Sequence, residues 1–235
     1  MSATTLNKLV FELAELRRAT VRDTDTLDRR MLIDWVQSQR ARLVKQSTID
    51  KGMQSIDDNL IQTLGTVDLV QVSSNDLSID DHMPMLRTTL AIPKAIETRD
   101  GASALTRVGP PSKLTIHYPV VTYDRALVFG NSHFNVNSIC AFPYGEYVYL
   151  YSKSGNHLTL TSVNIRGVFQ NAVEAAIFAD ATWTYDDAYP LNQSMIDQLK
   201  MLIVKEKLEL SIIQPHDKTD DDIENFKSDA NVQKR

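Results

Sequence analysis

Apolar residues in the first fifty positions recur every three or four places. Leu6, Leu9, Val10, Leu13 and Leu16 form one stripe, which predicts an amphipathic helix over residues 5–18 that Thr4 or Thr5 can cap. The polar joint "ATVRDTDT" interrupts the period. A second stripe of Leu27, Met31, Leu32, Trp35, Val36, Leu43 and Val44 then faces away from Arg30, Asp34, Gln37, Ala41 and Lys45. A second helix is expected from residue 27 onward, capped by Thr24 or Thr26. Residues 1–50 therefore read as a helical hairpin.

Beyond residue 66 the period changes. Short runs such as "TVDLVQV" and "MLRTTLAI" are separated by Gly, Pro, Asn and Asp, the grammar of strands and loops. In residues 137–169, Pro143-Tyr144-Gly145 and Ser154-Gly155-Asn156 mark two turns, so an antiparallel meander is expected there. Its middle strand places Tyr147, Tyr149 and Tyr151 on one face and Val148 and Leu150 on the other. Helical spacing returns at 193–209, where Asn192 or Ser194 can cap and Ile196, Leu199, Leu202, Ile203 and Val204 line the apolar side.

The expected fold class is α+β. Residues 1–50 form the hairpin, 51–190 an inserted antiparallel β-rich domain, 191–212 a helix packing back on the hairpin, and 213–235 an extended polar, acidic tail. Leu9, Leu13, Leu32, Trp35, Val36, Leu199 and Ile203 are the expected core of the small terminal bundle.

Charge alters what the helices suggest. The 235 residues carry a net charge of -5, which gives no overall attraction for nucleic acid or an anionic membrane. Yet residues 1–52 alone hold 10 Lys and Arg against 7 Asp and Glu. The basic character is local to the N-terminal helices. Cys140 is the single cysteine, which excludes an internal disulfide and favours folding in a reducing cytoplasm. No window approaches 18 uninterrupted apolar residues, so no membrane partner is expected.

Catalytic and metal chemistry finds little purchase. His82, His117, His133, His157 and His216 show no H-x-x-x-H or H-E-x-x-H spacing and read as surface or turn residues. "DLSIDDH" at 76–82 lacks the glycine and terminal glutamate of a calcium loop and reads as a solvated acidic loop. In "RVGPPSK", residues 107–113, two prolines remove the N–H donors that a phosphate cradle needs, leaving a loop before an expected strand "KLTIHY". No nucleophile elbow accompanies the serines, and Cys140, between Ile139 and Ala141 in an expected strand, reads as a buried inert thiol. No enzyme and no cofactor are expected.

Arg29, Arg30, Arg40, Arg42 and Lys45 admit three readings. They are a solvated face of a core helix, a nucleic-acid reader, or a docking surface. The long joint before residue 27 does not supply the tight turn of a helix-turn-helix. Tyr147, Tyr149 and Tyr151 could stack bases, but "YVYLY" has no interleaved Lys or Arg to hold phosphates. An intracellular nucleic-acid-binding module using the arginine helix and the tyrosine strand is thus the alternative function. Arginine forks suit carboxylates, and the tail offers Asp220, Asp221, Asp222 and Glu224 beside Phe226, so pairing of the two chain ends between subunits is expected.

The segments "LNKLVFELAELRR", "MLIDWVQSQRARLVKQ", "AFPYGEYVYLYSKSG", "VNIRGVFQNAVEAAIF" and "YPLNQSMIDQLKMLIVKEKLEL", taken in order, resemble the head-to-tail ring, or connector, proteins of crAss-like podovirus-type phages. The likeness covers most of the chain and is weakest over 50–115, and Ala172 stands where a proline is expected after "RGVFQN". The resemblance implies a non-enzymatic virion protein assembled in the host cytoplasm, forming a twelve-membered ring at the head-tail junction below the portal. Its implied partners are copies of itself, the portal, adjacent ring or tail proteins, and genomic DNA crossing the lumen without specific binding.

Overall fold

The computed structural model describes residues 4–20, 28–51, 57–73, 77, 84–98, 101–113 and 115–208. Its helices are α1 (Leu6–Thr20), α2 (Arg29–Lys51), α3 (Tyr123–Val128), α4 (Ala172–Ala179) and α5 (Gln193–Ile203), the last running on into a π-helical turn at Val204–Leu208. Its strands are β1 (Gln62–Ser73), β2 (Pro84–Thr88), β3 (Leu105–Gly109), β4 (Cys140–Tyr144), β5 (Tyr147–Tyr151) and β6 (Ser162–Gly167). The fold is α+β, with every strand pair antiparallel.

The strands form one sheet in the order β3-β6-β1-β2-β5-β4. Residues 118–121 bridge its two outer strands: Tyr118 N–H donates to the Val108 carbonyl of β3, while Val121 N–H donates to Ala141 of β4 and Ala141 N–H to Pro119. The sheet thus curls into a nearly closed barrel. Leu64, Val67, Leu86, Leu105, Val108, Ala141, Val148, Leu150, Val163 and Ile165 fill its interior. Two of these pairs, Leu64 with Val67 and Leu105 with Val108, are three residues apart rather than two. Register shifts at Thr63/Gly65 and Leu105/Arg107 absorb the extra residue, and Gly65 takes a left-handed φ of 79° that a side chain would resist.

The expected meander at 137–169 is half right. The turn at 143–145 joins β4 to β5, but β6 does not return to β5; it pairs with β1 and β3 on the other side of the sheet. Residues 152–161 are a crossing connection that contains a 3₁₀ turn at Asn156–Thr159, not a hairpin. Likewise the strand expected at "KLTIHY" is displaced: the ladder lies upstream, in β3, and 115–117 have no strand partner. Alternation along β5 holds, with Val148 and Leu150 in the barrel while Tyr149, Tyr151 and, partly, Tyr147 join Cys140 and Phe142 in a second core on the outer face, under α3.

The other helices gather where β1 begins and β6 ends. Leu6, Leu9, Leu13, Leu32, Val36, Ile196, Leu199 and Ile203 are buried in one cluster, with Trp35 packed at its margin. Val44, Leu60, Ile96, Ala104 and Val168 continue that contact into the barrel mouth. Helix α4, whose apolar "AVEAAIFA" has no amphipathic period, serves both sides: Ala172 and Val173 enter the helical cluster and Ala175 the barrel core. Asn171 caps it by accepting from the N–H groups of Val173 and Glu174, which makes Ala172 its first residue, a position where a proline would fit equally. The expected Asn192 cap is present on α5, accepting from Ser194 N–H. At α2 the capping carboxylate is Asp28, which accepts from Arg30 N–H, while Thr24 and Thr26 lie outside the described residues.

Candidate functional site

The five basic residues of α2 do not share one face. Arg29 is exposed, donates to the Asn7 side chain and lies over the Tyr185 ring at 5.9 Å. Arg30 is exposed at the start of the helix. Arg42 meets Glu206 at 2.5 Å, and Lys45 lies 3.8 Å from Glu97. Bonds from Arg42 and then from the Gln39 amide hold the Glu206 carboxyl below its ordinary range.

Arg40, expected among the docking residues, is 0% exposed and so cannot contribute to a surface. Its Nε donates to the Pro190 carbonyl at 2.8 Å and its Nη1 to the Phe169 carbonyl at 3.0 Å. The guanidinium lies 5.7 Å from the Tyr189 ring centre. Burial lowers its pKa, and it raises that of Tyr189 to about 12. The Arg40 Nη2 and the Tyr189 hydroxyl are buried with no hydrogen-bond partner among the described residues. Arg40 is a strut that fastens α2 to the strand exit at Phe169 and to the segment before α5.

The tyrosine strand offers no stacking platform. Tyr149 and Tyr151 are only 3% and 5% exposed, and Phe142 stacks on Tyr149 at 5.4 Å. Tyr147 is covered by Arg87, whose guanidinium lies 4.5 Å from the ring centre. The nucleic-acid reading therefore loses its aromatic half. Cys140 is buried and its thiol is pushed up to about 12 by desolvation, the state of an unreactive thiol. His157, expected at a surface or turn, is in a turn but 1% exposed: Nδ1 accepts from Ser152 N–H at 3.1 Å, so Nε2–H donates to the Pro84 carbonyl at 2.9 Å. It is a neutral structural clamp between two strands.

Among the described residues no group of three or more His, Cys, Asp or Glu is placed to hold a metal ion, and no helix is long and apolar enough to cross a membrane. Most of the acidic loop at 76–82 and all of Asp220, Asp221, Asp222, Glu224 and Phe226 lie outside the described residues.

What periodicity did not single out are two features at opposite ends of the barrel. Where β4 begins and β5 ends, the last residues of α3 and the loop after it expose Leu127, Val128 and Phe134, the last by 87%. Its turn is pinned by Lys153 Nζ donating to the Asn131 side chain at 2.9 Å and by the Asn156 amide donating to the Asn137 carbonyl at 3.3 Å. Gly130 takes φ 86°, and a Cβ there would stand 2.8 Å from that of Lys153. At the other end, where β4 turns into β5 and β3 begins, a groove of about 370 Å³ lies between the 92–97 segment and the turn at Pro143–Gly145. The signal for the loop was in the chain: residues 126–138 contain no Asp, Glu, Lys or Arg yet carry Leu127, Val128, Phe129, Phe134 and Val136 within ten positions.

Comparison with known families gives a match over residues 13–226 to the family described as Phage tail ring protein 2. No curated protein matches the chain.

Proposed function

Since the chain belongs to the Phage tail ring protein 2 family of crAss-like phages and is thereby a structural ring protein of the virion, we propose that it forms a twelve-membered homo-oligomeric ring in the head-to-tail connector, directly below the portal. The ring lines the channel through which the genome leaves, and catalysis is no part of its work. The observation that carries this reading is the family match itself, which runs from α1 through the barrel and α5. Net charge supports the channel role, because a chain at -5 presents no overall attraction that would hold passing phosphates.

Rings close through heterologous contacts, one patch of each copy meeting a different patch of the next. Arg30, with Arg29, Arg42 and Lys45 along the same helix, is proposed to meet the acidic stretch Asp220, Asp221, Asp222 and Glu224 of a neighbouring copy, with Phe226 as an apolar anchor. Arg40 has no part in it.

The decisive experiment is imaging of the assembled particle together with light scattering of the purified protein mixed with portal. A twelve-fold ring at the head-tail junction and a large joint complex are expected. Density elsewhere in the particle, or a chain that stays monomeric beside portal, would overturn the reading. Deleting residues 215–235 should weaken assembly and lessen its salt sensitivity; unchanged assembly would remove the tail from the interface.

A further inference from the structure

We propose that the uncharged loop presenting Phe134 at one end of the barrel is the plug, and the groove at the other end the socket, of the contact between successive copies in the ring. This deepens the ring reading and rests on it. Four observations point the same way.

The first is direction. The strand registers place the start of β4 beside the end of β5, and the turn from β4 to β5 at the opposite rim. The loop at 127–138 feeds the first rim and the groove lies on the second. A closing heterologous contact needs two unlike patches facing away from each other on one chain, and this pair has that arrangement.

The second is preorganisation. The Lys153 and Asn156 bonds, the left-handed Gly130 and the short turns closed by Asn131 N–H to Val128 and Asn135 N–H to Ser132 hold the loop in one shape. His133 packs edge-on to Phe134 at 5.2 Å, a contact that supports the protruding ring from one side. A rigid, almost fully exposed aromatic is the side chain best suited to anchor an interface, because little freedom is lost when it is covered.

The third is chemistry. Between Ala126 and Ser138 there is no charged residue. Of the groove's lining residues, Lys94 and Glu97 lie 3.4 Å apart and answer one another; Lys45 of α2, 3.8 Å from Glu97, is outside the lining. Beside that pair the lining is mainly Ile92, Pro93, Ala95, Leu105 and Pro143, with Ser103 among its uncharged polar residues. An uncharged loop that mixes apolar side chains with Asn and Ser suits that mixed lining, whose charges are already paired.

The fourth is size. A volume of about 370 Å³ lies within the range of roughly 300–1,000 Å³ that holds a whole small ligand, so one aromatic ring fits it. The contact carries the Val128–Phe134 tip and does not involve Arg29 or Arg30, which lie at the opposite end of α2 from Lys45.

Cysteine cross-linking tests it. Phe134→Cys and Lys94→Cys proteins, each made in the full chain, should join only when mixed, giving a disulfide-linked pair at least ten-fold in excess of either homodimer on a non-reducing gel. The double variant should give a ladder ending in a closed ring; buried Cys140 stays silent. In parallel, Phe134→Asp should abolish the oligomer seen by light scattering while keeping the melting temperature of the parent chain. Should that melting temperature fall, Phe134→Ser and the cross-linking result decide. Parent rings that persist with Phe134→Asp, or Phe134→Cys homodimers in place of mixed pairs, overturn the plug and socket and leave the ring standing. A parent chain that never oligomerises, alone or with portal, overturns the ring reading and this contact with it.

Discussion

Arg40 carries its charge into the protein without a carboxylate. Two main-chain carbonyls and the face of Tyr189 stand in for one. Leaving a buried carbonyl unpaired costs roughly 1–3 kcal/mol, so Arg40→Ala, which strands two and opens a void, should destabilise by about 3 kcal/mol or more in chemical denaturation. Tyr189→Phe should do the reverse. It removes a buried hydroxyl that has no hydrogen-bond partner, and its stability should be unchanged or raised by up to about 1 kcal/mol. The sequence held a sign of this strut. Leu32, Val36 and Leu43 or Val44 step along the buried stripe of α2, and the missing step between Val36 and Val44 falls on Arg40. An arginine at an apolar position reads as an interruption of the stripe because its partners, Phe169 and Pro190, lie more than a hundred residues away.

His157 ties stability to pH. Burial is the main cause that lowers its pKa below the ordinary 6.5, with the Pro84 bond opposing. Above 6.5 both folded and unfolded chains carry it neutral. As the pH falls from 6.5 towards the lower folded value, the unfolded chain takes up the proton first and stability is lost. The melting temperature of the parent chain should therefore drop between pH 7 and 5 more steeply than that of His157→Asn. Parallel profiles would show that the clamp does not titrate alone.

At the level of elements, the helices at the two chain ends were legible because their partners lie within one turn, so spacing alone reports the buried side. Strands were legible as strands but not as neighbours. The turn signals at Ser154-Gly155-Asn156 look alike whether the chain doubles back or crosses to another rim, and only β1, ninety residues earlier in the chain, explains where β6 goes. Helix α4 escaped because a helix buried on two sides has no polar face to set a period. Barrel closure escaped for a third reason: residues 118–121 contribute a few hydrogen bonds and no ladder. That closure depends on Gly109, where a Cβ would run into the Ile116 carbonyl. Gly109→Ala should push the 115–118 segment away from β3, and hydrogen exchange at the Tyr118 and Val121 amides should quicken at least ten-fold, while the β1 and β6 amides stay protected. Equal protection at all four would mean that the segment adapts.

For the molecule as a whole, composition had already spoken against nucleic-acid binding, and the buried tyrosines agree with it. The purified protein should not retard duplex DNA at physiological ionic strength, and any retention at low salt should vanish steeply as salt rises. Salt-resistant retention would require a basic surface on the assembled ring and would set aside the passive channel. Subunit contacts are the part of function least visible in a single chain, since patches that face different copies share no period and no motif. They emerge only when the fold shows which ends of the barrel point apart.

The nearly closed barrel has one more consequence. An open sheet offers a row of unpaired amides and carbonyls to any strand that comes by, and copies crowded together during assembly would zip through it into aggregates that do not come apart. With 118–121 lying across β3 and β4, part of that row is already taken: the Val108 carbonyl and both main-chain groups of Ala141 are bonded. Fewer main-chain groups are then open to a neighbouring copy, which favours contacts through side chains. In a ring built on such contacts, a misplaced subunit could leave and try again.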